Sequence, residues 1–149
     1  MRCKTIQCKQ VTMISRINAG LQCPYCMGDS EVIDSAEIYG RSYGILYICR
    51  KCEAWTGAHK ETGESLGRLA NAELREWKIK AHNVFDRLWK PPPGRKRHMT
   101  RKQAYYWLAT TLQIDPATAH IGMLDVAQCR KLITACNKQF PPDQIVIEF

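Results

Sequence analysis

Apolar residues recur at steps of three and four along residues 72–89, the spacing of one face of an α-helix. The positions on this face are Leu74, Trp77, Ala81, Val84, Phe85 and Leu88. Asn71 stands just before the run, where a side-chain oxygen can cap the first turn. Pro91 and the two prolines after it follow the run, and proline cannot continue a helix. The pattern therefore predicts an amphipathic helix over residues 72–89.

The same periodicity predicts two further helices near the C-terminal end of the sequence. One covers residues 101–112 and opens with a capping pair, Thr100 and Gln103. The other opens at a second capping pair, Asp125 and Gln128, and ends before Pro141. The inward positions are Ala104, Tyr105, Leu108 and Leu112 in the first helix, and Val126, Cys129, Leu132, Ile133 and Cys136 in the second.

Strand patterns occupy the N-terminal half. β-branched and aromatic residues predict strands at residues 31–38 and 45–48, and a third short strand around Trp55. Gly40 and Gly44 fall between the first two, where residues free to adopt positive φ favour a hairpin turn. Weaker patterns predict a short strand at residues 11–14 and an edge strand or tail at residues 144–149.

Two C-x-x-C pairs flank this hairpin, Cys23 with Cys26 and Cys49 with Cys52. Two sulfurs three residues apart on a tight turn can face one ion, and two such turns give Zn²⁺ its tetrahedron of four thiolates. The alternatives are disulfides or redox-active pairs. His59 is an alternative ligand to one of these thiolates. The spacing of Cys3 and Cys8 is compatible with two ligands of a second zinc, but the sequence has no clear second pair of cysteines to complete that site.

These patterns together predict an α+β protein. It consists of a small Cys₄ zinc-ribbon β-hairpin module, then an amphipathic helix, then a small C-terminal helical region. The expected organisation is a basic arm at 1–20, the ribbon plus long helix at 21–90, a basic proline-rich linker at 91–99 and the helical region at 100–149.

The net charge of +8 is unevenly distributed along the chain. Residues 90–102 contain six basic and no acidic side chains, whereas residues 21–59 contain three basic and five acidic ones. Positive segments of this kind attract nucleic acid or acidic protein surfaces. The candidate phosphate contacts are Arg95, Lys96, Arg97, Arg101 and Lys102, with Arg2, Lys4, Lys9 and Arg16 in the arm. The alternative is a solvated linker that only aids solubility.

Other chemistry-bearing residues have plainer interpretations. Cys129 and Cys136 share an apolar helical face, which is typical of small buried hydrophobic residues, with metal or redox roles as alternatives. His82 is expected on a helix surface and His120 in a structural hydrogen bond, each with catalysis as the alternative. Of the three adjacent aromatic residues at 105–107, Tyr105 is expected in the core, and Tyr106 or Trp107 outside.

The sequence contains no P-loop, no GxSxG, no HExxH and no zinc-deaminase motif. A Cys₄ zinc is coordinatively closed, so it leaves no position for a catalytic water. The motifs therefore indicate no enzyme activity, although they do not exclude it. The sequence has no run of about 18 apolar residues, so it predicts no membrane-spanning helix. The N-terminus lacks the apolar segment of a signal peptide. A reduced, cytoplasmic protein is expected.

Five segments of the sequence resemble a family of phage and bacterial proteins, the zinc-finger-containing domain proteins. The segments are CPYC, IYGRSYGILYICRKCEAWTGAH, LGRLANAELREWKIKAHNVFDRLW, MTRKQAYYWLATTLQI and HIGMLDVAQC, spanning residues 21–136. The resemblance implies zinc at Cys23, Cys26, Cys49 and Cys52, and a phage or prophage setting. It implies no substrate.

Two hypotheses for function follow. The first is a non-catalytic zinc-ribbon protein that binds nucleic acid through its basic segments. The second is an interaction module that binds and modulates a host protein such as a polymerase or nuclease. In the second hypothesis the acidic ribbon and three aromatic side chains expected to be exposed, Tyr39, Tyr43 and Trp55, form the docking face.

Overall fold

A computed structural model describes residues 13–141, which fall into two compact units, one ending at Arg75 and the other beginning at Glu76. The strands are β1 (Glu31–Asp34), β2 (Ile45–Cys49) and β3 (Ala54–Gly57). A short helical segment at residues 13–18 is followed by the helices α1 (Ala36–Tyr39), α2 (Ala72–Phe85), α3 (Arg101–Leu112) and α4 (Val126–Gln139). Single 3₁₀ turns lie at Asp86–Leu88, Pro116–Thr118 and Ile121–Met123. This content confirms the predicted α+β class. Within the described residues, none of the helices has the length and apolar character to cross a membrane.

The three strands form an antiparallel sheet in the order β1-β2-β3. Side chains alternate between the two faces of a strand, so successive residues of β2 serve different clusters. Leu46 and Ile48 pack with Ile33 and the half-buried Trp55. Cys49, which follows Ile48, belongs instead to a cluster on the cysteine side of the sheet, with Cys23, Ala54, Leu69 and Tyr47. The central strand therefore carries both a small core and a metal-ligand candidate.

The predicted strand at residues 31–38 is correct only for its first half. Asp34 Oδ1 accepts a hydrogen bond from the Ala36 N–H at 2.8 Å, and the chain then turns into α1. The Ser35 side chain is buried, and its Oγ accepts from the Tyr43 N–H at 2.7 Å. These local side-chain bonds compete with the strand ladder and end it. Gly40, at φ 73°, closes the short helix.

The strand predicted at residues 11–14 is wrong where the structure describes it. Met13 and Ile14 lie in a short helical segment at residues 13–18. Residues 1–12 of the basic arm and the predicted tail at residues 144–149 lie outside the described residues. The predictions for Cys3, Cys8, Arg2, Lys4 and Lys9 therefore stay predictions. Arg16, the arm's one predicted phosphate contact among the described residues, pairs with an acidic side chain instead, with Nη2 2.7 Å from Asp29 Oδ1.

The long helix follows the prediction closely. Asn71 Oδ1 caps it by accepting from the Leu74 N–H at 3.0 Å. The α-helix ends at Phe85, and the 3₁₀ turn Asp86–Leu88 completes the predicted extent to within one residue. Its inward positions Ala81, Phe85 and Leu88 are buried in the second unit.

The second unit is built on α3 and α4, and both open with the predicted capping boxes. In each box the side chain before the helix accepts the N–H of the third helical residue, whose own side chain accepts in return. The buried side chains of these helices are Ala104, Leu108, Ala109, Leu112, Cys129, Leu132 and Cys136. Burial raises the pKa of Cys129 to about 11 and that of Cys136 to about 12. Both thiols are therefore neutral parts of the core, as predicted.

Candidate metal centre and basic cavity

The first cysteine pair lies on a tight turn closed by the backbone. The Cys23 N–H donates to the Gly28 carbonyl at 2.8 Å, and the Met27 N–H donates to the Cys23 carbonyl at 2.9 Å. Met27 adopts a left-handed conformation, with φ 63°. Glu53 does the same after the second pair, with φ 51°. Each residue directly follows the second cysteine of its pair, so the chain reverses in both turns through a residue with positive φ.

Backbone amides also point at the sulfurs of the first turn. The Tyr25 N–H donates to Cys23 Sγ, and the Gly28 N–H donates to Cys26 Sγ, both at 3.4 Å. Hydrogen bonds of this kind stabilise the charged form of a thiol, which is the form that binds metal. A Cβ at position 28 would lie 3.3 Å from Cys26 Sγ, so glycine gives this amide its close approach.

The two turns bring the four sulfurs together. All four Sγ atoms lie within 4.8 Å of one another, and Cys26 Sγ lies 3.6 Å from Cys49 Sγ. A regular tetrahedron of sulfurs around Zn²⁺, with Zn–S bonds of about 2.3 Å, has edges of about 3.8 Å. The donor set and its spacing therefore fit Zn²⁺. In the part of the chain that is described, His59 does not belong to this group, and its backbone instead closes a turn with Glu64.

The thiols of the cluster differ in how readily they lose their protons. Burial raises the pKa of Cys23 and raises the pKa of Cys52 to about 12. The hydrogen bond from the Gly28 N–H, followed by the contact with Cys49, lowers the pKa of Cys26 to about 7. Four thiolates at this spacing would repel one another strongly, so full deprotonation needs a divalent charge at their centre.

Side chains of the first unit hold the second cysteine turn in place. Arg75 Nη1 donates to the Glu53 carbonyl at 3.1 Å and to the Ala70 carbonyl at 2.6 Å. The same guanidinium covers the face of Trp55, 3.5 Å from the ring centroid. Burial lowers the pKa of Arg75. This residue was not singled out from the sequence, where it reads as one of many basic residues on an amphipathic helix.

The aromatic face proposed for docking is only partly exposed. Tyr39 and Tyr43 are 53% and 65% exposed, and their rings meet edge to face at 6.2 Å. Trp55 was expected to be exposed, but it is half-buried beneath Arg75, and its Nε1 donates to the Tyr39 hydroxyl at 3.1 Å. Of the three aromatic residues proposed for the docking face, Tyr39 and Tyr43 are therefore the two that are exposed.

The basic segment of the second unit is an ordered loop. The N–H groups of His98 and Met99 both donate to the Leu88 carbonyl, at 3.0 and 3.1 Å, and so return the chain to the end of α2. The Arg95 N–H donates to the Pro92 carbonyl at 3.2 Å, which tightens the turn at the tip. Because Leu88 is buried, the loop is anchored to the core.

The structure separates the five predicted phosphate contacts. Arg95 and Lys96 line a cavity of the second unit, and Arg97 is exposed beside them. Arg101 instead places its guanidinium 5.4 Å from the Trp89 ring centroid and 4.9 Å from that of Tyr105. Lys102 is exposed in the first turn of α3.

The cavity has a volume of about 640 Å³, within the range of small-molecule sites. Arg87 and His98 line it together with the two loop residues, and none of the described lining residues is acidic. Its apolar part is formed by Val84, Leu88, Pro91, Pro92, Phe140 and Pro141. Sequence reasoning missed Arg87, His98 and Phe140 as site residues. Local sequence patterns carry no signal for these residues, because they come together only when separate segments of the chain fold around the cavity.

The remaining candidates are His82, His120 and the aromatic residues at 105–107. His82 is exposed on α2, with Nδ1 3.3 Å from Asp86 Oδ2. The ring of His120 packs edge-on against Tyr105, which in turn contacts Phe85. Tyr106 is 69% exposed, as was predicted for Tyr106 or Trp107, whereas Tyr105, which was expected in the core, is half-buried.

Comparison with curated proteins and with solved structures gave no match. A family model described as a zinc-finger-containing domain matches residues 19–139. The matched range contains the four clustered cysteines and most of the described residues of both units, and it agrees with the resemblance seen in the sequence. The chain therefore belongs to the zinc-finger-containing domain family.

Proposed function

We propose that this protein is a non-catalytic zinc-ribbon protein that binds nucleic acid through the loop at residues 91–99. The observation that supports the proposal is the anchored loop itself. Its residues Arg95 and Lys96 line one cavity with Arg87, and the described lining residues include no acidic side chain. An ordered cationic surface loses little conformational freedom on binding phosphates, unlike a flexible charged tail. A linker that served only to increase solubility would not need the hydrogen bonds that anchor this loop to the Leu88 carbonyl.

Zinc has a structural role in this proposal. Cys23, Cys26, Cys49 and Cys52 would supply all four ligands, so the ion joins the two turns and has no open position for substrate. The ribbon sequence is itself acidic, and Arg50 is already paired with Glu31 and Glu37. We therefore assign phosphate binding in the cytoplasm to the second unit, with the basic arm as a second contact.

The test is the salt dependence of binding to fluorescent DNA and RNA. Reversing Arg95, Lys96 and Arg97 to glutamate should weaken binding to every sequence, because the contacts are to phosphate. Each lost contact reduces the log–log salt slope by roughly 0.7 to 0.9. The matched control reverses three exposed lysines elsewhere, Lys51, Lys60 and Lys131, which changes the net charge equally. Equal weakening by both triple variants would show non-specific attraction only.

A second candidate rests on the exposed pair Tyr39 and Tyr43 beside the acidic ribbon. In that case the protein docks on a host protein, such as a polymerase or nuclease, in a phage-infected cell. Aromatic residues are enriched at the centres of protein interfaces. Pull-down from host lysate with nuclease treatment separates the candidates. A stoichiometric partner that survives nuclease and is lost with Tyr43→Ala supports docking, and partners that vanish with nuclease support nucleic-acid binding.

A further inference from the structure

We infer that the cavity of the second unit binds an unpaired nucleotide of a nucleic-acid chain. The base would lie against Phe140 and His98, and its phosphates on Arg87, Arg95 and Lys96. This inference rests on the proposed nucleic-acid function and extends it from phosphate attraction to the recognition of single strands. The observations that support it are the composition of the cavity, its rigid aromatic wall and its anchored cationic rim.

The aromatic wall is fixed by its own contacts. The Phe140 ring lies 5.1 Å from the His98 ring and 5.5 Å from the Trp107 ring, measured between centroids. Trp107 Nε1 donates to Gln139 Oε1 at 3.1 Å, and the Phe140 N–H donates to the Cys136 carbonyl at 2.8 Å. Phe140 is therefore held at the end of α4 while it lines the cavity.

The cationic rim is also set in advance. Arg87 lies in the 3₁₀ turn that follows α2. Its Nε donates to the carbonyl of Asn83 at 2.8 Å, and this bond holds the guanidinium against the last turn of α2. On the opposite chain segment, Arg95 and Lys96 stand in the loop that the Leu88 carbonyl anchors. Arginine suits phosphate because its planar fork can donate two parallel hydrogen bonds.

The pairing of an apolar recess with a cationic rim selects the form of nucleic acid. A duplex presents its phosphates outward but keeps the faces of its bases stacked, so it can reach the rim and not the recess. An unpaired base has a free face that can stack on aromatic side chains, and this stacking tolerates any base. The cavity therefore favours single strands, ends or loops over a continuous duplex.

The test compares two fluorescent DNA probes of equal nucleotide number, an unstructured oligothymidine and a fully paired hairpin with a closed loop of non-nucleotide linker. We expect wild-type protein to bind oligothymidine more tightly. Phe140→Leu and His98→Ala should each weaken oligothymidine binding by about 5-fold or more, the scale of losing one stacked base, and leave hairpin binding unchanged. Circular dichroism confirms that each variant is folded, and the exposed position of His98 makes its variant the safer of the two.

The outcomes separate the two proposals. Salt-sensitive binding of both probes with no preference, or variants with no effect on either probe, overturns the unpaired-nucleotide site and leaves the phosphate-binding loop standing. Binding of neither probe at low ionic strength overturns both. A glutamate-rich peptide containing phenylalanine is the third probe. If Phe140→Leu weakens binding of this peptide but does not weaken binding of oligothymidine, the cavity is a peptide site and the inference is wrong.

Discussion

The guanidinium of Arg75 stacks on the indole of Trp55 at 3.5 Å from the ring centroid. Through its Nη1 the same group bonds the Glu53 carbonyl, directly after the second cysteine pair. One side chain from the start of α2 thus joins the sheet to the turn that carries Cys49 and Cys52. The metal centre is supported from outside its own ligands, as other metal sites are.

Arg75→Ala should lower the free energy of unfolding of the first unit by about 2 kcal/mol, since it removes a partly buried cation–π contact and two charge-assisted hydrogen bonds. Arg75→Lys should recover only part of this loss, because an ammonium cannot stack and bond both carbonyls in one plane. Urea unfolding measures both, with Lys51→Ala as the surface control. Equal stability of the two Arg75 variants and the control would contradict this account.

Zinc binding is the most direct prediction. Native mass spectrometry should find one zinc bound by the ribbon of each chain, and Cys49→Ser should lose it. Structural zinc can contribute about 10 kcal/mol or more of apparent folding free energy in small modules, so a strong chelator should unfold the ribbon. Cys129→Ala is the matched control, since it removes a buried thiol outside the cluster and should keep the metal. A ribbon that stays folded without metal would refute the structural role.

The cysteine cluster shows how far the sequence could lead. Each C-x-x-C pair, Cys23 with Cys26 and Cys49 with Cys52, is a local pattern, and the capping pairs Thr100 with Gln103 and Asp125 with Gln128 are local too. Each was predicted because residues close in sequence determine it.

Other features depend on contacts between distant residues. Ser35 ends β1 because its side chain bonds the backbone of Tyr43, across a turn whose path the apolar pattern does not give. The cavity brings Arg87, Arg95 and Phe140 together from three segments. Nothing in the neighbourhood of Phe140 distinguishes it from a residue that merely ends a helix. Such sites need the tertiary structure before they can be recognised.

The buried thiols predict a pH dependence. Burial raises the pKa of Cys129 from 9.0 to about 11 and that of Cys136 from 9.0 to about 12. Both groups are neutral when folded, so their contribution to stability is complete below pH 9 and is lost as pH rises through the folded pKa values. Unfolding measured between pH 8 and 11 should show stability falling, and Cys129→Ala should reduce that slope.

The same thiols should react slowly with a maleimide or disulfide reagent at pH 8, because they are both buried and protonated. Peptide mapping after labelling of native protein identifies the modified positions. Labelling of Cys129 and Cys136 should accelerate only with denaturant, whereas labelling of the ribbon cysteines should accelerate with chelator. Rapid labelling of Cys129 in native protein would contradict its burial in α4.

The last prediction concerns Arg101, whose guanidinium contacts both Trp89 and Tyr105. Lys102 is the next residue of the same first helical turn and is exposed. A positive charge near a helix N-terminus is unfavourable, so Arg101→Gln and Lys102→Gln gain similar amounts from its removal. Their difference therefore isolates the aromatic contacts, and Arg101→Gln should be the less stable variant by about 1 kcal/mol. Thermal unfolding measures this difference. Equal stability would mean that Arg101 is as available to phosphate as Lys102, and the salt slope of nucleic-acid binding should then fall equally in the two variants.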